Sequence, residues 1–370
     1  MKVVILHPPL YPMNHDFFNL LGKKVNLTVI QFGNAPGLHK NWNINKIKNK
    51  KNYNLILIEG FTDLKKYAVS YKTQMSLKWI KEIKRIQPNI VISIAFWIPS
   101  LYASFLKKIF HYDFFILTDA IEHTEKKHSI VRKIIRKITV KNVDGFIVGS
   151  CLTKQYLNQV YPNIDIFESY NSIDIQTWIK KMDFLPEKET LRRQLNIHEG
   201  RIVLLGVGNF TKLKNWEKVI KNMKQLNSFY FILIGNGELR DVYLKIIEEL
   251  NISNIEIIER KEKDELKEYF KLSDVFIFPT MKDTFGYVVM EALASSLPVL
   301  CSKNSGASCL ITNSFNGYIF NPKEDIVEAL KLIENDINKL QSNALESVKN
   351  IILEEKVNNL VNYFVEKTKN

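Results

Sequence analysis

The sequence contains few cysteines and no long apolar run. Its three cysteines, Cys151, Cys301 and Cys309, lack the spacing of metal ligands, so we expect reduced thiols, as in a cytosolic protein. No stretch approaches the roughly 20 apolar residues of a membrane span. Pro8 and Pro9 interrupt the apolar start of the chain, which predicts a first β-strand and not a signal peptide.

Acidic residues are scarce in the first half of the chain. Residues 1–175 hold 25 Lys/Arg against 12 Asp/Glu, a net charge of +13, whereas residues 176–370 hold 27 of each. This asymmetry predicts an anionic partner for the first half. Because the sequence has no signature of a nucleic-acid-binding module, we expect no nucleic acid and favour an anionic membrane surface.

Short apolar strands alternate with amphipathic helical segments along the 370 residues. This alternation predicts βαβ units with parallel sheets. The predicted strands are Lys2–Leu6, Val25–Phe32, Asn54–Ile58, Ile90–Ile94, Phe114–Leu117, Gly145–Val148, Ile202–Val207, Phe229–Ile234, Ile255–Ile258, Val275–Phe278 and Val299–Leu300. The predicted helices include Lys65–Ile86, Pro99–Phe110, Ile130–Lys141, Trp216–Leu226, Leu239–Leu250, Glu262–Lys271 and Ala344–Lys367. The pattern restarts near Arg201 after a polar segment, so two doubly wound domains are expected.

The stretch DTFGYVVMEALASSLPVL, Asp283–Leu300, carries the strongest chemical signal. An apolar strand precedes it, and a helix is expected to begin near Gly286. Backbone N–H groups at a helix N-terminus form an anion site, and the carboxylates of Asp283 and Glu291 can accept hydroxyl hydrogen bonds. An anion site beside hydroxyl acceptors suits a sugar nucleotide.

Four further segments accompany this stretch: VGNFTKLKN (Val207–Asn215), IGNGELR (Ile234–Arg240), NSGASCLI (Asn304–Ile311) and NGYIF (Asn316–Phe320). Together they resemble the donor-binding domain of retaining GT-B glycosyltransferases of family four, whose E-x7-E motif has Asp in its first position here. The resemblance implies two Rossmann-like α/β domains facing a cleft. It implies a basic, acceptor-binding N-terminal domain at residues 1–172 and a nucleotide-sugar donor domain at 173–343. A C-terminal helix at 344–370 is expected to pack back toward the N-terminal domain.

The resemblance also implies roles for single residues. Glu291 would hold the ribose hydroxyls, Asp283 the donor sugar and Lys214 the diphosphate. Asn209 replaces the Arg usual after the glycine, and Lys212 either supplies that missing cation or is a solvated loop lysine. The full set of implied donor-binding residues is Gly208, Asn209, Lys212, Gly235, Gly237, Arg260, Lys261, Thr284, Phe285, Gly286, Tyr287 and Val288. No metal and no cofactor are implied.

The acceptor side resembles the family less closely. Asp119 and His123 follow the strand Phe114–Leu117 and are catalytic candidates that could orient the acceptor hydroxyl. The alternative for His123 is a structural role in its loop.

The segment IVRKIIRKITVK, Ile130–Lys141, is a basic amphipathic helix by its spacing. Ile130, Val131, Ile134, Ile135 and Ile138 form one apolar stripe with cations beside it. Two interpretations remain: a surface helix packed on its own sheet, or a helix lying on anionic lipid.

The expected activity is that of a retaining hexosyltransferase using a nucleotide diphosphate sugar such as a UDP-sugar. The expected acceptor is a saccharide or a lipid-linked saccharide of bacterial surface polysaccharide or lipopolysaccharide assembly. The expected location is cytoplasmic and peripheral, on the inner face of the membrane. The alternatives are a GT-B sugar-nucleotide epimerase or phosphorylase, and a non-catalytic partner subunit of another glycosyltransferase.

Overall fold

A computed structural model describes residues 1–9, 12–33, 51–60, 62–63, 68–69, 71–125, 130–169, 171, 173–197 and 200–368. The chain divides into two compact units. The first contains Met1–Tyr170 together with Leu353–Asn370, and the second contains Asn171–Ile352.

The first unit is built on a seven-stranded parallel sheet in the order β3-β2-β1-β6-β7-β8-β9. Apolar, β-branched strands buried on both faces are typical of such sheets, and five of the six residues of β1 are buried. A short antiparallel pair, β4 and β5, lies outside this sheet. The strands are β1 Lys2–His7, β2 Asn26–Phe32, β3 Asn54–Ile58, β4 Thr62–Asp63, β5 Ala68–Val69, β6 Ile90–Ile94, β7 Asp113–Thr118, β8 Gly145–Val148 and β9 Ile166–Glu168.

Helices lie between several of these strands, and the C-terminal helix joins the same unit. The helices are α1 Pro12–Lys24, α2 Tyr71–Gln74, α3 Lys78–Ile86, α4 Ile98–Phe110, α5 Glu122–Glu125, α6 Ile130–Val140, α7 Cys151–Val160 and, at the C-terminus, α15 Leu353–Lys367. Helix α15 packs beside α1. Its Val357, Leu360 and Phe364 are buried in a core shared with β1 and β2, and the Tyr363 hydroxyl donates to Asp165 at 2.9 Å.

The second unit has a six-stranded parallel sheet in the order β12-β11-β10-β13-β14-β15. Its strands are β10 Ile202–Val207, β11 Phe229–Gly235, β12 Ile255–Glu259, β13 Val275–Phe278, β14 Val299–Ser302 and β15 Gly317–Phe320. Its helices are α8 Ile175–Asp183, α9 Lys188–Gln194, α10 Trp216–Asn222, α11 Arg240–Glu249, α12 Lys263–Leu272, α13 Tyr287–Ala294 and α14 Val327–Lys349.

Buried ion pairs anchor α9 at the amino end of β13. Asp274, 13% exposed, pairs with Lys188 and Arg192 and accepts a hydrogen bond from the Val203 amide at 2.7 Å. One carboxylate thereby ties a helix to two adjacent strands.

The strand order reverses between β10 and β13. From β10 the chain builds outward through β11 and β12, then returns to the other side of β10 to form β13. Loops at the carboxyl ends of two such neighbouring strands leave the sheet in opposite directions and open a crevice, which is where open α/β sheets bind ligands. The position of a site in this unit follows from this topology.

The prediction of two doubly wound parallel-sheet domains is confirmed, and most predicted strands match within two residues. The single helix predicted at Lys65–Ile86 is wrong, because Ala68–Val69 is a strand and the helices begin at Tyr71 and Lys78; residues 64–67 and 70 lie outside the described residues. The predicted Ala344–Lys367 is two helices that are separated at residues 350–352.

The expected thiol state is also corrected in part. Cys301 is a free, buried cysteine, and burial raises the pKa of its thiol well above the usual range. Cys151 and Cys309 are not free thiols, so the prediction of three reduced cysteines is wrong for these two.

Candidate functional site

The loops after β10 and β13 meet where the strand order reverses. The first of them ends in a 3-10 turn, Lys212–Lys214. The carbonyl of Leu213 in this turn accepts hydrogen bonds from the Met281 amide at 2.8 Å and from the Thr280 hydroxyl at 3.0 Å. The backbones of the two loops are therefore held together at the crevice.

Lys214 and Asp283 form an ion pair across these loops. Lys214 Nζ lies 2.5 Å from Asp283 Oδ2, and the two side chains are 21% and 20% exposed. The ammonium group also lies 4.8 Å from the centre of the Phe278 ring, a position that favours a cation. Two of the residues selected from the sequence, 69 positions apart, thus meet in one partly open site.

The loop that carries Asp283 is fixed by a second loop, which follows β14. The Asp283 amide donates to the Asn304 carbonyl at 3.2 Å, and the Gly306 amide donates to the Asp283 carbonyl at 3.2 Å. The Ala307 amide donates to the Phe285 carbonyl at 2.8 Å. These bonds hold the backbone around the Asp283 carboxylate in one conformation, which favours a preorganised site.

Helix α13 begins directly after this loop, and Gly286 makes the turn possible. Gly286 has φ 101°, in the left-handed region that glycine adopts without steric cost. A Cβ there would lie 2.6 Å from the Phe278 ring. Within the described part of the chain, no side chain caps α13 at Gly286, so the first N–H groups of the helix provide positive charge for an anion.

Glu291 lies one turn into α13 with its side chain 14% exposed. Burial raises the pKa of its carboxyl, and the nearby ammonium groups of Lys263 and Lys267 partly offset that rise. Lys263 Nζ is 3.9 Å from Glu291 Oε1, longer than a direct hydrogen bond. The Glu291 carboxylate is therefore poorly compensated for its burial and would gain from hydroxyl donors.

Several residues around Glu291 were not predicted from the sequence. Lys267 Nζ lies 4.9 Å from the Trp178 ring centre. The Trp178 indole N–H donates to Ser295 Oγ at 2.9 Å, and the Ser295 hydroxyl donates to the Glu291 carbonyl at 2.8 Å. Trp178 and Lys267 come from α8 and α12, Ser295 directly follows α13, and no spacing in the sequence indicates that they meet. The only local signal was the i, i+4 pair Lys263 and Lys267.

The glycines implied as donor-binding residues pack two loops together. A Cβ on Gly235 would lie 1.9 Å from the Gly208 carbonyl oxygen, and one on Gly237 would lie 2.6 Å from the Phe210 carbonyl oxygen. The loops after β10 and β11 therefore approach more closely than side chains allow. Asn209, beside them, is exposed.

The remaining implied donor residues lie at the same edge of the sheet or at the start of α13. Arg260 and Lys261 directly follow β12, and Lys261 Nζ is 3.6 Å from Glu265 Oε1. Lys212 and Thr284 are exposed, Phe285 is buried, and Tyr287 and Val288, the first residues of α13, are half-buried. The Phe285 and Tyr287 ring centres are 5.0 Å apart.

The two acceptor-side candidates belong to the first unit. Asp119 directly follows β7 and is half-buried. His123 lies in the short helix α5, and its side chain is outside the described residues. Both assignments stay predictions.

Residues 187–350, most of the second unit, match the family model described as "Glycosyl transferases group 1". Among curated relatives, an uncharacterized glycosyltransferase of Methanocaldococcus jannaschii is 27% identical over 57% of this chain and 55% of its own. An Escherichia coli UDP-Gal:alpha-D-GlcNAc-diphosphoundecaprenol alpha-1,3-galactosyltransferase is 24% identical over 49% of this chain and 48% of its own. The chain thus spans about half the length of these relatives.

Solved structures extend the likeness to the fold of both units. A glycosyltransferase from Rickettsia africae matches with a TM-score of 0.77 at 18% identity, covering 100% of this chain and 99% of its own. Anabaena HepE in complex with UDP matches with a TM-score of 0.76 at 15% identity, covering 99% of this chain and 100% of its own. At these identities the likeness concerns the fold, and the expected GT-B fold class, with two Rossmann-like α/β domains, is confirmed.

Proposed function

We propose that this protein is a glycosyltransferase that moves a sugar from a nucleoside diphosphate sugar to an acceptor hydroxyl with retention of configuration. The proposal depends above all on the Lys214–Asp283 pair, 2.5 Å apart, at the strand-order reversal beside the uncapped start of α13. The match of residues 187–350 to the group 1 glycosyl transferases supports it, as does UDP in the related HepE structure.

The donor diphosphate would lie between Lys214 and the N-terminus of α13. Departure of the nucleoside diphosphate places negative charge on its phosphates, and fixed positive charge there lowers the barrier. Glu291 would accept hydrogen bonds from the ribose hydroxyls. In this proposal no metal takes part, and full transfer activity in excess EDTA is the expected result.

Asp283 has two partners in this mechanism. Without donor it is held by Lys214. With donor bound, the diphosphate competes for Lys214, and the released carboxylate can accept from a hydroxyl of the sugar. The Asp side chain is one methylene shorter than that of the Glu in the E-x7-E motif. While it contacts Lys214, its carboxylate therefore extends less far toward the sugar.

Retention follows from attack on the face that the leaving group occupies. The acceptor oxygen forms a bond to the anomeric carbon as the bond from that carbon to the diphosphate oxygen breaks. The acceptor proton passes to the departing diphosphate. Asp119 and His123 are proposed to orient the acceptor hydroxyl.

We propose a hexose donor and an acceptor that is a saccharide, free or lipid-linked, in bacterial surface polysaccharide or lipopolysaccharide assembly. The E. coli relative is named for a diphosphoundecaprenol-linked acceptor, and the net charge of +13 in residues 1–175 suits an anionic membrane surface. Across the described residues, no helix is long and apolar enough to cross a bilayer. From this charge and the lipid-linked acceptor we propose a cytoplasmic, peripheral location on the inner membrane face.

A thermal-shift panel of UDP-, GDP-, ADP-, dTDP- and CMP-sugars tests the donor class first. A ligand at about 100 times its Kd stabilises the folded state by about 2.7 kcal/mol, so the cognate nucleotide gives a clear shift. Stabilisation by none of them would contradict the proposal and favour the non-catalytic partner subunit.

With the nucleotide identified, NMR of the transferred sugar tests the reaction. Retention predicts the same anomeric configuration in product and donor, and inversion would contradict the mechanism. Quantitative conversion of the nucleotide sugar without any acceptor would instead indicate an epimerase.

A further inference from the structure

Two neighbouring helices of the first unit expose large apolar side chains. Phe105 and Ile109 of α4 are 53% and 65% exposed, and Ile130 and Ile134 of α6 are 76% and 52% exposed. Helices α4 and α6 pack against each other, so these four side chains belong to one region of the surface, here called the α4–α6 surface. Large apolar side chains exposed together on neighbouring helices are typical of interaction sites.

The spacing places each pair on one helix face. Phe105 and Ile109 are four residues apart, as are Ile130 and Ile134, so each pair lies one turn apart along its helix. Lysines share these faces. Lys108 precedes Ile109 on α4, and Lys133 and Lys137 flank the isoleucines on α6, all of them exposed.

The opposite face of α6 makes the contacts to its own unit. Thr139 and Val140 are buried. Arg136, 16% exposed, pairs with Glu125 and stacks 4.4 Å from the centre of the Phe96 ring. This corrects the sequence interpretation of one apolar stripe with all cations beside it. One cation turns inward, and the outward isoleucines take no part in the core.

We propose that the α4–α6 surface docks on the headgroups of an anionic lipid bilayer, with Phe105, Ile109, Ile130 and Ile134 entering the acyl boundary. Charge complementarity favours an anionic bilayer as the partner of this surface. Lysines alternate with the apolar side chains on both faces, within a segment of net charge +13. Lysine stems lie along apolar surface while their ammonium groups reach phosphates, and apolar insertion with cationic contact characterises interfacial helices. The inference rests on the proposed function in that it supplies the membrane for a lipid-linked acceptor.

The test is cosedimentation of the purified full chain with phosphatidylcholine vesicles, with and without phosphatidylglycerol, in the absence of nucleotide. We expect binding only to the anionic vesicles and weaker binding at high salt. Phe105→Ser with Ile109→Ser is expected to lower partitioning at least tenfold. Lys133→Gln with Lys137→Gln is expected to lower it about fivefold per charge removed.

The control variants carry matched changes in the second unit. Phe184 is 89% exposed and Lys323 is exposed, so Phe184→Ser and Lys323→Gln should bind vesicles as the unchanged protein does. All substituted side chains are exposed, and an unchanged melting temperature verifies folding.

Two results would overturn the inference. One is equal vesicle binding by the unchanged protein and the α4–α6 variants. The other is a dimer in sedimentation velocity that the Phe105 and Ile109 changes dissociate, because a second copy would then be the occupant. Nucleotide-sugar stabilisation is measured on the same samples, so failure of the donor site and failure of membrane docking are seen separately.

Discussion

Replacing Glu291 by Gln tests the proposed nucleotide anchor with little change in shape. A hydrogen bond to an ionised group contributes about 1.5–3 kcal/mol. Gln keeps one acceptor oxygen but loses the charge and the second oxygen. We therefore expect a loss of about 2–3 kcal/mol, roughly a 30- to 150-fold rise in the Kd of the cognate nucleotide sugar.

The pH dependence of the same Kd provides a second, independent measurement. Burial raises the pKa of Glu291 above its ordinary value of 4.5, and the ribose hydroxyls require the ionised form as acceptor. Binding should therefore be strongest above that raised pKa and weaken as the pH falls through it. In the Glu291→Gln variant this pH dependence of the Kd should disappear. In the Lys263→Met variant binding should begin to weaken at a higher pH, because a cation that lowers the pKa of Glu291 has been removed.

Isothermal titration calorimetry over a series of pH values above 4.5 makes both measurements. A nucleoside diphosphate sugar is the appropriate ligand because its phosphodiester groups do not titrate in that range. Glu328→Gln, at a side chain 86% exposed, is the matched control and should leave the Kd unchanged. If folded Glu291→Gln binds within twofold of the unchanged protein, Glu291 does not hold the ribose.

Three further predictions concern the loop and its support. Asp283→Asn should tighten binding of the free nucleoside diphosphate about fivefold, because Lys214 loses a partly exposed counter-charge whose interaction contributes about 1 kcal/mol, and it should slow sugar transfer. If the affinity measured by calorimetry falls together with turnover, the prediction is wrong. Gly286→Ala should lower the free energy of unfolding by about 1–3 kcal/mol in urea titrations, since Ala tolerates neither the left-handed φ nor the 2.6 Å approach to Phe278. Asp274→Asn leaves the two cations of α9 without their carboxylate and should lower the free energy of unfolding by about 3 kcal/mol in the same titration. An unchanged free energy of unfolding would show that these ion pairs make no net contribution to stability.

Prediction of the fold from the sequence succeeded where the local pattern was unambiguous. Strands such as Asn54–Ile58 and Val275–Phe278 have the predicted bounds, because short β-branched runs between turns have few alternatives. The sequence missed α1, Pro12–Lys24, whose start follows several prolines. It also merged the two C-terminal helices into one pattern, because Leu353 continues the apolar spacing and the break at residues 350–352 carries neither Gly nor Pro.

The roles of charged residues were less predictable. Lys214 and Asp283 were each selected from a motif, but their direct contact was not foreseen. On α6, the sequence placed the cations beside an apolar stripe, whereas the structure turns Arg136 inward onto Phe96. Periodicity shows that a helix has faces; which face meets the protein depends on neighbours from other parts of the chain.

By itself the sequence determined the fold class and the segment in which a site should be sought. Alternating strands and helices leave few compact arrangements, and a glycine loop followed by a helix with spaced carboxylates is a local feature. The tertiary structure alone decided that Lys214 meets Asp283, that Lys263 lies beside Glu291, and that α4 packs against α6. These contacts depend on sheet order and helix packing. In a doubly wound sheet the neighbours in space are not the neighbours in the chain.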